Sequence, residues 1–240
     1  MTVSSIRKGV YLGLAICFLL SEVMWAAEST PQPNAASGKG RALFDMPAGK
    51  FFELKQAARP IDPAKIDHAL LAAAIFHETN QRRGQENKQR LRHEARLDAA
   101  SRTHADSMAE KKYLSHTNPD RPELKTPRDR ARQAGYEALY IAENIATLFG
   151  IRYDEGKMMY PVHTPQGPGF SYQPDGAPIP RHTYRSFAVA LLDQWMNSPG
   201  HRRNIVAEQP EAFGAGCTAR QEKTGMDRFY CVQLFGASQR

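Results

Sequence analysis

The sequence predicts an α+β fold, and three features carry that prediction. In separate stretches between about residues 65 and 196, apolar residues recur every three or four positions, the period of amphipathic helices. Near the end the period changes. In Arg228–Phe235 the side chains Tyr230, Val232 and Leu234 alternate with Phe229, Cys231, Gln233 and Phe235, so both faces are largely apolar, as in a strand covered on two sides. Helices come first and strands last, an order that segregates the two.

Residues 1–27 read as a secretory signal. Arg7 and Lys8 form a positive start, Val10 to Leu20 an apolar stretch, and Ala26–Ala27 a small-residue cleavage point. The apolar run is short for a bilayer and Glu22 interrupts it, so an uncleaved N-terminal membrane anchor is the second choice. Ile16 before Cys17 makes a poor lipoprotein box. The chain is therefore expected to be exported, periplasmic or secreted. Residues 28–60, with Pro31, Pro33 and an SGKG stretch, read as a linker, and the folded domain is expected over residues 61–240.

Asp62–Pro63 offers an N-cap and a first-turn proline. A first helix is expected from Lys65 to Arg83, with Ile66, Leu70, Ala73, Ala74 and His77 on one face and Gly84 as its stop. A second runs from about Glu94 to Lys112 on a stripe of Leu97, Ala100, His104 and Met108. The RDRARQAG stretch after Pro127 reads as a third, capped by Gly135. A fourth spans Tyr184 to Met196, turning Ala188, Leu191, Leu192 and Trp195 inward. Between Phe149 and Tyr184 the sequence is rich in Pro, Gly and Tyr and has no clear period, which suggests a surface lid packed by its own tyrosines. Phe213–Arg220 is the expected antiparallel partner of the last strand, joined to it through a loop with Gly225.

A hydrophobic share of 41% with 24% charged residues is that of a globular chain, and 240 residues suffice for one domain with its own core. Lys and Arg number 32 against 25 Asp and Glu, a net charge of +7. The excess favours anionic partners such as lipid headgroups or cell-wall polymers, although basic residues also simply solvate helix faces. No basic stripe interleaved with aromatics and no zinc-finger spacing is present, so nucleic acid is not an expected partner. With Cys17 removed, Cys217 and Cys231 remain. An even count in an exported chain favours a disulfide, with two free thiols as the competing reading.

Candidate chemistry centres on His116 in YLSHTNPD, Glu143 in AENIA and His201 in NSPGHRRNI. Ser198–Pro199–Gly200–His201 reads as an N-cap, a first-turn proline and a histidine in the opening helical turn. The positive helix end there disfavours imidazolium. Glu143 lies between apolar neighbours and needs partners if buried. Two imidazoles and a carboxylate can form a zinc site with an open position or a metal-free acid–base group, and spacing alone does not choose. Other signals fail. His77–Gln81 begins like H-E-x-x-H but ends in Gln81, and Gly169–Gln173 lacks the last glycine of a nucleophile elbow. His163 and His182 lie in the 150–184 stretch; the first reading for each is an exposed loop histidine, and an approach to the same place is the second.

Taken together with the C-terminal phrases FGAGCTAR and RFYCVQLFG, these three phrases resemble the CAP superfamily in its bacterial form. That group, also called the SCP domain, includes cysteine-rich secretory proteins, antigen 5 and plant pathogenesis-related proteins. The resemblance covers roughly residues 66–236 and implies a three-layer α-β-α sandwich with a mainly antiparallel central sheet. It implies that His116, Glu143 and His201 share one cleft, with His116 and His201 as ligands of zinc or another divalent cation. Asn80 and Arg83 fit structural positions on the first helix. Residues 150–184 then look like an insertion. One departure stands out: many eukaryotic members carry a second cleft glutamate in W-x-x-E, whereas Trp195 is followed at that spacing by Ser198. A mechanism needing paired carboxylates is thereby in doubt.

Members of the family are connected with sterol or lipid binding, extracellular signalling and defence. The leading expectation is an exported binding module whose cleft takes a divalent cation and whose surface takes an envelope or extracellular lipid, glycan or protein. The alternative is a hydrolase of peptide or cell-wall bonds working through His116, Glu143 and His201, with Ser198 as a weak nucleophile candidate. A third reading is an envelope structural protein with a vestigial cleft.

Overall fold

The computed structural model describes residues 38–164 and 167–238, so the signal read over residues 1–27 and the first part of the linker lie outside the described residues. The rest forms the expected three layers around a mainly antiparallel sheet. Four strands lie in the order β1–β5–β6–β2, namely β1 Arg92–His93, β5 Ala212–Gln221, β6 Asp227–Ser238 and β2 Ala138–Phe149. Only the short β1–β5 pairing is parallel. The apolar alternation of β6 has its cause here: one face meets α3 (His68–Gln85) and α6 (Tyr184–Met196), the other meets α4 (Ala95–Lys111) and α5 (Pro127–Gln133). Cys217 and Cys231 stand opposite each other in the β5–β6 register and are joined as a disulfide.

Helix α6 has the expected limits, and Ala188, Leu191, Leu192 and Trp195 are all fully buried. A reciprocal capping box of Thr183 and Ser186 starts it. Helix α4 begins after Glu94 and buries Leu97, Ala100, His104 and Met108. It packs so closely on β5 that a Cβ on Gly214 or Gly216 would meet its backbone at Asp98 or Arg102. Helix α5 starts on a Thr126–Asp129 capping box and is followed by Gly135 at φ +81°.

Two expectations need correction. The cap of α3 is Asp67, whose side chain accepts from the Leu70 N–H, while Asp62 bonds the Ala64 N–H in a local turn. The linker assigned to residues 28–60 is wrong where it is described. Residues there form α1 (Gly38–Asp45) and α2 (Ala48–Glu53), and Phe44 and Phe51 enter the core beside α3. The stretch before Tyr184, read as a lid packed by its own tyrosines, contains regular structure and such packing. Tyr160–Thr164 (β3) and Gly167–Ser171 (β4) pair as an antiparallel hairpin, and Tyr153 and Tyr172 pack with Phe149 against Phe170, Ile179 and Met226. No helix among the described residues is long and apolar enough to cross a membrane.

Candidate functional site

Strand β2 is the edge of the sheet, and Glu143 lies at its middle with its side chain 1% exposed. His116 reaches it from the loop after α4: His116 Nδ1 lies 2.8 Å from Glu143 Oε1. The other carboxylate oxygen, Oε2, accepts from Arg130 Nη2 at 2.6 Å, and the Arg130 side chain is wholly buried. Arg130 also donates to the carbonyls of His116, Leu124 and Lys125. It therefore ties α5 to the loop and to the strand at once, and it is the cation that makes a buried carboxylate tenable.

The loop is held from behind as well. Its entry is Lys112 in the left-handed conformation. His104 Nε2, buried on α4, bonds the Ser115 carbonyl at 2.8 Å, so that nitrogen carries the proton. The Asn118 side-chain oxygen accepts from the N–H groups of Asp120 and Arg121 and closes the next turn. His116 thus has both flanking carbonyls fixed while its own ring is about half exposed. The carboxylate oxygen at Nδ1 acts as an acceptor, so Nδ1 carries a proton, and in the neutral ring Nε2 then keeps its lone pair.

His201 comes from the opposite face of the strand, in the first turn of α7 (Pro199–Val206). Ser198 occupies the N-cap position but its side chain makes no capping bond. The placement of α7 is set by amides. Asn204 Nδ2 donates to the Glu143 carbonyl and to Asn144 Oδ1. Asn144 Nδ2 donates to the His201 carbonyl and to Gln233 Oε1, and Gln233 Nε2 donates to Thr79 of α3. Both amide hydrogens of Asn204 and of Asn144 are spent in this chain, which fixes the helix to the sheet without any net charge. Arg83 secures the far end of α7 through the carbonyls of Ile205 and Ala207.

The His201 ring has no hydrogen-bond partner among the described residues. Burial lowers its pKa, and the neighbouring His116 adds to the effect. Burial and the Arg130 charge lower that of His104 in the same direction. His163 is exposed on β3, and His182 is buried against Ser186. Both belong to the opposite end of the sheet, about 20 Å along β2 from Glu143 at ~3.3 Å per residue. The second reading, in which they approach Glu143, does not hold, because their segment packs beside the β5–β6 turn.

Among the described residues no group of three His, Cys, Asp or Glu side chains is placed to hold an ion. The available donors are the imidazoles of His116 and His201, since both Glu143 oxygens are already engaged. Such a set suits a divalent cation that completes its shell with water or ligand oxygens, with Glu143 orienting a ligand rather than acting as one. The sequence does not disclose the site roles of Arg130, Asn144 and Asn204, and it shows His104 only as part of an inward helical stripe. Arg130 sits in a strongly basic run that resembles a solvated face, and the only available signal was its position in a helix bracketed by a cap and a glycine.

The model of the cysteine-rich secretory protein family, CAP, matches residues 76–235, which is 160 of the 240 residues. The chain belongs to the CAP family. No curated protein matches it. Among solved structures, this CAP chain is similar to an extracellular SCP-domain protein from Bacillus anthracis, at 22% identity and a TM-score of 0.46. That alignment covers 75% of this chain and 45% of the other. An outer surface protein from Borrelia burgdorferi gives 17% and 0.44, covering 69% of this chain and 90% of that one. A cysteine-rich secretory protein from Staphylococcus aureus gives 10% and 0.41, covering 71% and 40%. The chain thus spans less than half the length of the Bacillus and Staphylococcus proteins.

Proposed function

We propose that this CAP domain is an exported binding module whose cleft holds a divalent cation, zinc being the first to test, between His116 and His201. The observation that carries the reading is the 2.8 Å contact of His116 Nδ1 with Glu143, itself held by Arg130. It turns the Nε2 lone pair outward beside an imidazole that burial keeps neutral. A bound cation would supply a Lewis-acid position open to oxygen ligands. The residues of the chain would hold and orient it, and the basic surface would engage an envelope lipid, glycan or protein. The Cys217–Cys231 bond supports export, because disulfides persist in oxidising compartments.

Calorimetry with zinc on the metal-free protein tests this. Near-stoichiometric binding that is lost in both His116→Ala and His201→Ala is expected. Absence of binding in the parent protein ends the cation reading.

The hydrolase reading keeps one specific support, since the His116–Glu143 pair is also a base with its orienting carboxylate. The uncapped Ser198 hydroxyl or a water would be the nucleophile. Turnover of peptide or cell-wall substrates that survives Glu143→Gln combined with His201→Ala would sink it.

A further inference from the structure

At the end of the sheet remote from His116 lies a groove of about 460 Å³, a size within the roughly 300–1,000 Å³ of small-molecule sites. Phe170, Ile179 and Met226 line it and form a small apolar cluster of their own, with Ile151 packed against them. Two charged side chains, Arg181 and Asp227, stand among these residues.

The backbone explains why they meet. Ile151 pairs with Arg181 in an isolated bridge, and the preceding Gly150 N–H donates to the Asp227 carbonyl at 2.9 Å. Consecutive positions just beyond β2 thus hold the two charges at one place. No ion pair within 4.0 Å joins them, and among the described residues neither side chain has a hydrogen-bond partner. They nevertheless share a field: burial pushes the Asp227 carboxyl up, the Arg181 charge draws it back, and Asp62 opposes Arg181.

Opposite charges left unbonded beside an apolar concavity are complementary to a ligand with two charges and an apolar body. We propose that this groove binds a zwitterionic amphiphile, namely an apolar α-amino acid or a short apolar peptide with free termini. The ligand side chain lies against Phe170, Ile179 and Met226, its carboxylate pairs with Arg181, and its ammonium pairs with Asp227. A fatty acid satisfies Arg181 but sets its head against the Asp227 carboxylate. A simple amine has the converse defect. The site is independent of the cleft.

Titration of the whole protein with L-phenylalanine and with the dipeptide Leu-Leu, followed by calorimetry and NMR shifts, tests the assignment. Saturable binding of at least one is expected, weakened tenfold or more by N-acetylation or C-amidation of the ligand. Arg181→Gln and Asp227→Asn should each weaken it similarly, while His116→Ala leaves it unchanged. The blocked ligands keep the test decisive if either groove variant folds poorly. No saturable binding, equal binding of blocked and free ligands, or tighter binding of laurate than of both probes overturns the proposal.

Discussion

Arg130 Nη2 lies 2.6 Å from Glu143 Oε2, and the two side chains are 0% and 1% exposed. The desolvation of both charges is therefore offset only by each other and by the carbonyls and imidazole around them. Arg130→Met leaves the carboxylate buried without its counter-charge and should cost about 3–5 kcal/mol. Urea denaturation measures this. The double variant Arg130→Met, Glu143→Leu should recover much of the loss, because apolar replacement of a whole buried pair is often neutral. A loss below about 1 kcal/mol in the single variant would mean that solvent reaches the pair.

The segment before α3 is part of the domain by the same kind of argument. Phe51 is fully buried and its ring lies 4.6 Å from that of His77, whose Nε2 bonds the Leu43 carbonyl. Phe51→Ala should cost about 3–5 kcal/mol by thermal or chemical denaturation. A true linker would lose almost nothing.

The contrast between α6 and these first helices shows what is legible in the sequence. Ala188, Leu191, Leu192 and Trp195 announce α6 because one helix buries one stripe, and β6 is equally readable from its apolar alternation, with β5 as its partner across the Gly225 loop. Helices α1 and α2 are too short to display a period, and the glycines around Lys39 imitate a linker. The β3–β4 hairpin is hidden by Pro161, Pro168 and its glycines. At the candidate site, His116, Glu143 and His201 stand in recognisable phrases, and the structure brings them to both faces of one edge strand. Their supports, Arg130, Asn144 and Asn204, are polar residues whose roles exist only through contacts remote in sequence.

Acid should weaken the fold in a definite window. Burial first, and the Arg152 charge second, lower the pKa of His182 from 6.5 to about 4, against an opposing bond to Ser186. The unfolded chain takes up a proton near pH 6.5 that the folded chain refuses until about pH 4. The stability is complete above pH 6.5 and falls as pH drops toward 4, by on the order of 3 kcal/mol for this residue. His77 and His104 are shifted in the same direction and add to the fall. Urea midpoints taken across that window should drop steeply in the parent protein and less in His182→Asn. Parallel curves for the two would remove His182 as a cause.

Glu143→Gln separates orientation from ligation in the cleft. The carboxylate now receives two donors, His116 Nδ1 and Arg130 Nη2. The two donors meet different oxygens, and an amide keeps an acceptor at only one of those positions with NH₂ at the other, so it cannot receive both. The guanidinium, as the charged donor, takes the oxygen. The NH₂ then faces His116, and the ring responds by keeping its proton on Nε2, which removes the outward lone pair. Cation affinity should fall about 10–100-fold although no ligand has been deleted. Nitrogen-15 NMR of the imidazole should report the change of tautomer in the metal-free variant. Unchanged affinity together with an unchanged tautomer would show that Glu143 does not orient His116. A changed tautomer with unchanged affinity would exclude His116 Nε2 as the donor.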